Sequence, residues 1–457
     1  MRLLLLSTLS YMAMVITAHS APKNVILLIG DGMGEAEISL ARNYEFDGGD
    51  GLFIDTMDFR GSAVVNALLD SDPSKLAFIG DSASGGTVLA TGQRTAVRRV
   101  STTAKFGVPI VTIAEQAKEK GFSVGIVTTA EITDATPASF GAHSNNRYCL
   151  KAGDRACNGD TPIFEQYFDT DYDVFLGGGQ RHLPGKYGDG TIEQAVKDNG
   201  YTLIQTTNDL SQGILSISDK DAKLWGAFSE EHFPREWQGY QGKYAEKMAI
   251  DDNNMAIFPP ARNCEANPKY AGKPSLQAMA ERALNELDAK NDANDKGFFL
   301  MIEGASIDKS SHDADPCGVI GELLSFDRTV EMAVEYAKNN ENTIVIVTAD
   351  HGGATQNIHH PYYERYKRIS QNVPGLFKML LTKGGNEMLA YYGGNNITKQ
   401  TNPGDLTDQI SPGGLEDQPH TGINVPVYAY GLDDDNKLSG TIKQTEIYGV
   451  MAKHLFD

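Results

Sequence analysis

Five runs of apolar, largely β-branched residues constrain this chain more than any other feature: NVILLIG (Asn24–Gly30), FSVGIVTT (Phe122–Thr129), GFFLMIEG (Gly297–Gly304), TIVIVTAD (Thr343–Asp350) and VPVYAYG (Val425–Gly431). Polar and apolar residues do not alternate in them, so each reads as a strand buried on both faces, the habit of parallel strands covered by helices. Between the runs the apolar period changes. After Pro274, the residues Leu276, Met279, Ala280, Ala283, Leu284 and Leu287 recur at helical spacing, as do Leu323, Phe326, Val330, Ala333, Val334 and Ala337. Helices alternating with buried strands predict an α/β fold with a large central, mostly parallel sheet and helices on both faces. No linker divides the chain. The stretch from Gly352 to Gln418, rich in Tyr, Gly and Asn, reads as irregular surface elaboration around a site.

The first residues read differently. Arg2 precedes an apolar stretch from Leu3 to Ala18, and Ala18-His19-Ser20 has the small-x-small form of a cleavage site. This is the pattern of a secretory signal peptide over residues 1–20, leaving 21–457 as a single domain. The apolar stretch is short for a membrane span, and no later stretch is long and apolar enough. The expected location is therefore periplasmic or secreted. The formal charge of −20 becomes one unit more negative when Arg2 is removed, which argues against nucleic-acid or anionic-membrane partners. Cys149, Cys157, Cys264 and Cys317 make an even set in an exported chain, so two disulfides are expected, in one of three pairings. A thiolate zinc site has no C-x-x-C pair to start from.

Chemistry gathers where the strands end. Asp31 follows VILLIG, Glu303 ends FFLMIE, and Asp350-His351 follow TIVIVTA; open α/β sheets bind ligands at that edge. One such Asp is most often a turn or helix cap. Three on one edge point to a site. Ser82, in GDSASGG, stands where a nucleophile could, but the protease loop match fails by the inserted Ala83-Ser84, and G-x-S-x-G fails at Ser84. Metal coordination is the other way to activate a serine hydroxyl. Its ligands are present: Asp308 and His312 four apart in EGASIDKSSH, the adjacent pair Asp350-His351, and His420 in EDQPHTG. Carboxylates mixed with imidazoles suit zinc, and the oxygen set Asp31, Glu303 and a threonine hydroxyl suits magnesium. Asp134 and Thr136 follow a strand, and Arg147 lies beyond them with a planar fork suited to a phosphoryl group.

These residues carry a resemblance. DGMG at Asp31, DSA at Ser82 with Thr87 five later, DATPA at Asp134, EGASIDK with a following His at Glu303, TADH at Asp350 and HTG at His420 resemble the motifs of the alkaline phosphatases. The likeness covers nearly the whole mature chain and is greater to the periplasmic enzymes of enteric bacteria than to the mammalian ones, which carry histidines at the places of Asp134 and Lys309. It implies a metal-dependent hydrolase of small phosphate monoesters with two zinc ions and one magnesium ion. Ser82 would be the phosphorylated nucleophile, with Arg147 holding phosphate and Lys309 contacting it through water. One zinc would be bound by Asp308, His312 and His420, the other by Asp31, Asp350 and His351. Magnesium would sit with Asp31, Thr136 and Glu303, Asp134 arranging its waters. The disulfides would fall on Cys149–Cys157 and Cys264–Cys317.

Two departures qualify the likeness. Cleavage after Ser20 leaves little of the N-terminal arm on which the bacterial homodimer depends. Gly85-Gly86 replace better helix formers after Ser82, at ~1 kcal/mol each against Ala, and are expected to loosen its helix. A phosphodiesterase or sulfatase of the same superfamily is the alternative enzyme, and no C/S-x-P-x-R sulfatase motif surrounds Ser82. A non-catalytic zinc- or phosphate-binding protein would lack a ligand or the nucleophile, and none is missing. His359-His360 have no suitable acidic neighbours and read as surface residues.

Overall fold

The computed structural model describes residues 23–457 apart from 48, 50, 248, 254–255, 295, 354–355, 360–374, 394–417 and 434–437. Residues 1–20, expected to be a leader, and His360 lie outside the described residues. Ten strands form one sheet: β1 (Asn24–Gly30), β2 (Phe59–Val64), β3 (Ser123–Glu131), β4 (Val174–Gly178), β5 (Tyr201–Ile204), β6 (Lys223–Ala227), β7 (Phe298–Gly304), β8 (Thr343–Thr348), β9 (Val425–Tyr430) and β10 (Gly440–Lys443). Their order across the sheet is β10-β2-β9-β8-β1-β7-β3-β4-β6-β5. Every residue of β1, β3, β4, β7 and β8 is buried, so both faces of the sheet are covered, as the unbroken apolar runs require. Helices Leu276–Asn294 and Pro316–Asn339 supply cover, with the expected periodic residues turned into the core.

All neighbouring pairs are parallel except those of β9, which runs antiparallel to both β8 and β2. VPVYAYG is therefore a buried strand but not a parallel one. Both-face burial looks the same in either direction, and direction here follows from His420. That residue lies just before β9, at the edge where the parallel strands end, so the strand must run away from it. Gly352–Gln418 is also more regular than its composition implies. Gln356–His359, Gly375–Leu381 and Glu387–Gly393 join Glu246–Lys247 in a second, antiparallel sheet. The short strands β4, β5 and β6 have no run long enough to read: VFLGG, YTLI and KLWGA are brief, and the first and last carry glycine.

Both disulfides form, Cys149–Cys157 and Cys264–Cys317. No helix among the described residues is long and apolar enough to cross a membrane.

Candidate active site

Sheet register gathers the site. Gly30 pairs with Gly304 and Ile29 with Thr348, so Asp31, Glu303 and Asp350 come level at the carboxyl ends of three adjacent strands. The turn after β1 is tight: Gly32 has a φ of 65° and its N–H donates to Asp350 Oδ1 at 3.1 Å. A Cβ on Gly32 would meet Asp308 Oδ1 at 2.7 Å, so only glycine lets the acidic groups close on one another.

Ser82 opens the helix Ser82–Thr91. Asp81 is its cap, accepting from Ser84 N at 3.1 Å. The helix N-terminus thus faces the site with its unpaired N–H groups, a surface suited to an anion. Ser82 is buried, with Oγ 3.3 Å from His351 Nε2 and 3.5 Å from Asp31 Oδ1.

Two groups of metal-ligand type are gathered here, the first of them in contact with Ser82: Asp31, Asp350 and His351, and Asp308, His312 and His420, the atoms of each lying within 4.8 Å of one another. In the first, His351 Nε2 is 3.3 Å from Asp31 and 3.4 Å from Asp350. In the second, His312 Nε2 is 3.2 Å from Asp308 and 2.9 Å from His420 Nε2. The His351 and His420 rings stack with centroids 3.7 Å apart, joining the groups.

Several observations fit divalent cations here. His420 Nδ1 is 3.0 Å from the Gly80 carbonyl and His351 Nδ1 3.3 Å from that of Gly352, so each donates there and turns its Nε2 to the site. Asp308 Oδ1 and Asp350 Oδ2 are buried without a hydrogen-bond donor. Burial and then the Asp31 charge push Asp350 up to about 8 and Glu303 well above the carboxylate range. Burial opposes charge on His351, but Asp350 and Asp31 raise it to about 10. Burial and His351 push His420 down to about 4. Crowded carboxylates with inward-facing imidazoles ask for cations.

A cationic pair is tied to the cap of the Ser82 helix and to Asp134. Arg147 bridges Asp81 at 3.2 Å and Asp134 at 3.1 Å, and its buried Nε has no acceptor. Lys309 Nζ lies 3.0 Å from Asp134. Burial favours a neutral Asp134, but Lys309 and Arg147 outweigh it and hold the carboxyl well below its usual range. The residues expected to hold magnesium are less tightly gathered. Thr136 is buried on the helix Ala135–Gly141, and Glu303 accepts from Thr128 Oγ1 at 2.5 Å, but Glu303 and Asp134 stand outside both metal-ligand groups.

Sequence reasoning passed over Asp81, whose carboxylate also receives the Arg98 N–H at 3.1 Å, and His232. His232 accepts from Glu131 N at 3.1 Å and lies 3.8 Å from Asp134. Asp81 sat inside the quoted DSA motif; no spacing marked His232. A cavity of about 1300 Å³, lined in part by Arg42, Asp55, Arg60, Arg328 and Tyr428, contains none of the site residues; Arg42 and Arg60 are already paired to Asp55, and Arg328 to Glu236.

The model of the alkaline phosphatase family matches residues 22–456. The streptomycin-6-phosphate phosphatase of Streptomyces griseus is 36% identical, over 96% of this chain and 92% of that protein. The alkaline phosphatase of Escherichia coli strain K12 is 34% identical, over 95% and 86%. Among solved structures, alkaline phosphatases from the Antarctic bacterium TAB5 and from Thermus thermophilus superpose with TM-scores of 0.65 and 0.67 at 22% and 21% identity. Each covers 95% of this chain, and the chain covers 98% and 91% of them. With the family's fold built around a buried serine beside two linked groups of metal-ligand type, this chain belongs to the alkaline phosphatases, enzymes that hydrolyse phosphate monoesters.

Proposed function

We propose that Ser82 is the nucleophile of a two-zinc, one-magnesium phosphomonoesterase and carries a phosphoserine intermediate. The observation that carries this reading is Ser82 Oγ, buried 3.3 Å from His351 Nε2 in one three-residue ligand group, to which the second group is joined by the stacked His351 and His420 rings. Asp31, Asp350 and His351 would hold the zinc beside Ser82, and Asp308, His312 and His420 the other. Asp31, Thr136 and Glu303 would hold magnesium. When bound, these ions supply Lewis acidity, lowering the pKa of a hydroxyl and neutralising charge on the leaving oxygen.

The chain's own residues do the rest. Arg147 and the N–H groups opening the Ser82 helix receive the non-bridging phosphoryl oxygens. Arg147 is held ready by Asp81 and Asp134, and Lys309 adds positive charge on the same side. Ser82 Oγ bonds to phosphorus as the ester P–O bond breaks, and the alcohol leaves with a proton. Water then attacks the phosphoserine, Ser82 recovers its proton, and inorganic phosphate departs. A complete Arg147 and magnesium set favours a monoester dianion over a diester or sulfate.

Residues 1–20 are read as an export signal and 21–457 as one catalytic domain, in keeping with two disulfides and an oxidising compartment. A homodimer is the assembly that family membership favours. The Streptomyces relative's name adds streptomycin 6-phosphate to the monoesters worth assaying. The test is metal analysis of purified protein alongside hydrolysis of a chromogenic monoester, a diester and a sulfate ester. Two zinc ions and one magnesium per chain with monoester turnover support the reading. A preference for the diester or sulfate, or full activity after chelation, refutes it.

A further inference from the structure

The loop after β6 crosses the catalytic edge and carries Arg235, an arginine that no motif marks. Phe233 N donates to Thr129 O at 2.9 Å, which ties the loop to the end of β3. Arg235 then reaches the helix Ser306–His312, which bears Asp308, Lys309 and His312. Its Nη2 donates to the Lys309 carbonyl at 2.8 Å and to the Asp313 carboxylate. Its Nη1 donates to Tyr244 Oη at 3.0 Å and lies 3.4 Å from Asp315 Oδ2. We propose that Arg235 is a positioning residue for the Asp308, His312 and His420 group, fixing the carboxyl end of this short helix and so the angle at which Asp308 and His312 face His420.

The helix has seven residues, and its last carbonyls lack partners within it. The Asp313 N–H reaches the Lys309 carbonyl only at 3.4 Å, so the shorter bond from Arg235 is the firmer hold. A guanidinium also suits the negative end of a helix dipole. Lys309 and Asp313, the two residues it grips, bracket His312. The arginine is built in: a Cβ on Gly318 would meet Arg235 Cδ at 2.7 Å. Asp313 and Asp315 accompany its charge, and the side chain is only 15% exposed. The other ligand group, Asp31, Asp350 and His351, comes from the ends of β1 and β8, and none of Arg235's polar contacts is with it.

The inference rests on the two-zinc reading above, and its test separates the two. The full-length protein, loaded with zinc and magnesium, is dialysed against graded chelator, and retained zinc is counted for wild type, Arg235→Lys, Arg235→Gln and Arg235→Ala. Partners behind metal ligands are worth about 10–100-fold in affinity. Arg235→Gln should therefore release one of its two zinc ions at about tenfold lower chelator strength, with the second ion unmoved and activity restored by added zinc. Arg235→Lys, with its charge but not its fork, should fall between. Release of both ions together, or curves that match wild type, would overturn the proposal; where the alanine variant does not fold, the lysine and glutamine variants decide. A wild type that binds no pair of zinc ions would instead sink the reading on which it rests.

Discussion

Gly85→Ala sets two effects of known size against each other. On helix propensity alone, alanine inside Ser82–Thr91 gains ~1 kcal/mol over glycine. The structure opposes this. A Cβ at Gly85 would run into the Asp350 carbonyl oxygen, with the carbonyl carbon at 2.8 Å and Asp350 Cβ at 2.9 Å, where backbone cannot swing aside. Overpacking of this kind costs ~1–3 kcal/mol, so the net effect is a loss of up to ~2 kcal/mol. The glycine lets the helix that begins at Ser82 approach the strand end that carries Asp350 and His351. Relief requires the helix to withdraw, and Ser82, one turn earlier, moves with it from its 3.3 Å contact with His351. A shift of ~1 Å at a reacting group can cost ~100-fold in rate. Urea unfolding of the metal-loaded variant should show reduced stability, and kcat/KM for a monoester should fall by about that factor. Gly86→Ala, which would meet the Ser139 side chain at 2.9 Å, should be milder. A Gly85→Ala protein that is ~1 kcal/mol more stable with unchanged kcat/KM would refute the packing argument and restore the propensity one.

Two further outcomes follow from charge. Burial, then the Glu236 charge, push the Glu322 carboxyl from 4.5 to about 8. Its proton is bound more tightly in the folded state, so stability falls as pH rises through that window, and Glu322→Gln, which keeps an acceptor for Glu236 N–H, should flatten the fall between pH 5 and pH 9 in urea midpoints. Parallel wild-type and variant curves would remove Glu322 as the cause. Asp134→His with Lys309→His breaks a 3.0 Å ion pair beside Arg147; it should weaken magnesium and phosphate binding and speed turnover where product release is slow. Unchanged magnesium dependence and phosphate inhibition would mean neither residue acts at the site.

Much of the site was legible because strand ends are sequence-local. Asp31, Glu303 and Asp350 each follow an unbroken apolar run, so a parallel-sheet reading already set them on one edge. The direction of β9 was not legible, since burial on both faces is the same either way. Nor was the use of Gly85, because sequence reports propensity while the close approach is made by a strand more than 260 residues away. His232 and Arg235 make their contacts from an irregular loop to residues distant in sequence, which leaves no period or spacing to read. Asp81 was quoted as part of a motif, but its tie to Arg147 needed the fold.

The account turns on Ser82, and trapping its phosphate tests it most directly. Metal-loaded protein is incubated with radiolabelled phosphate or a monoester, quenched at acidic pH where phosphoserine survives, digested and mapped. The label should sit on the peptide containing Ser82, and Ser82→Ala should abolish it while retaining the full complement of metal. Label on another residue, or an Ser82→Ala protein that turns over at the wild-type rate, would contradict the mechanism.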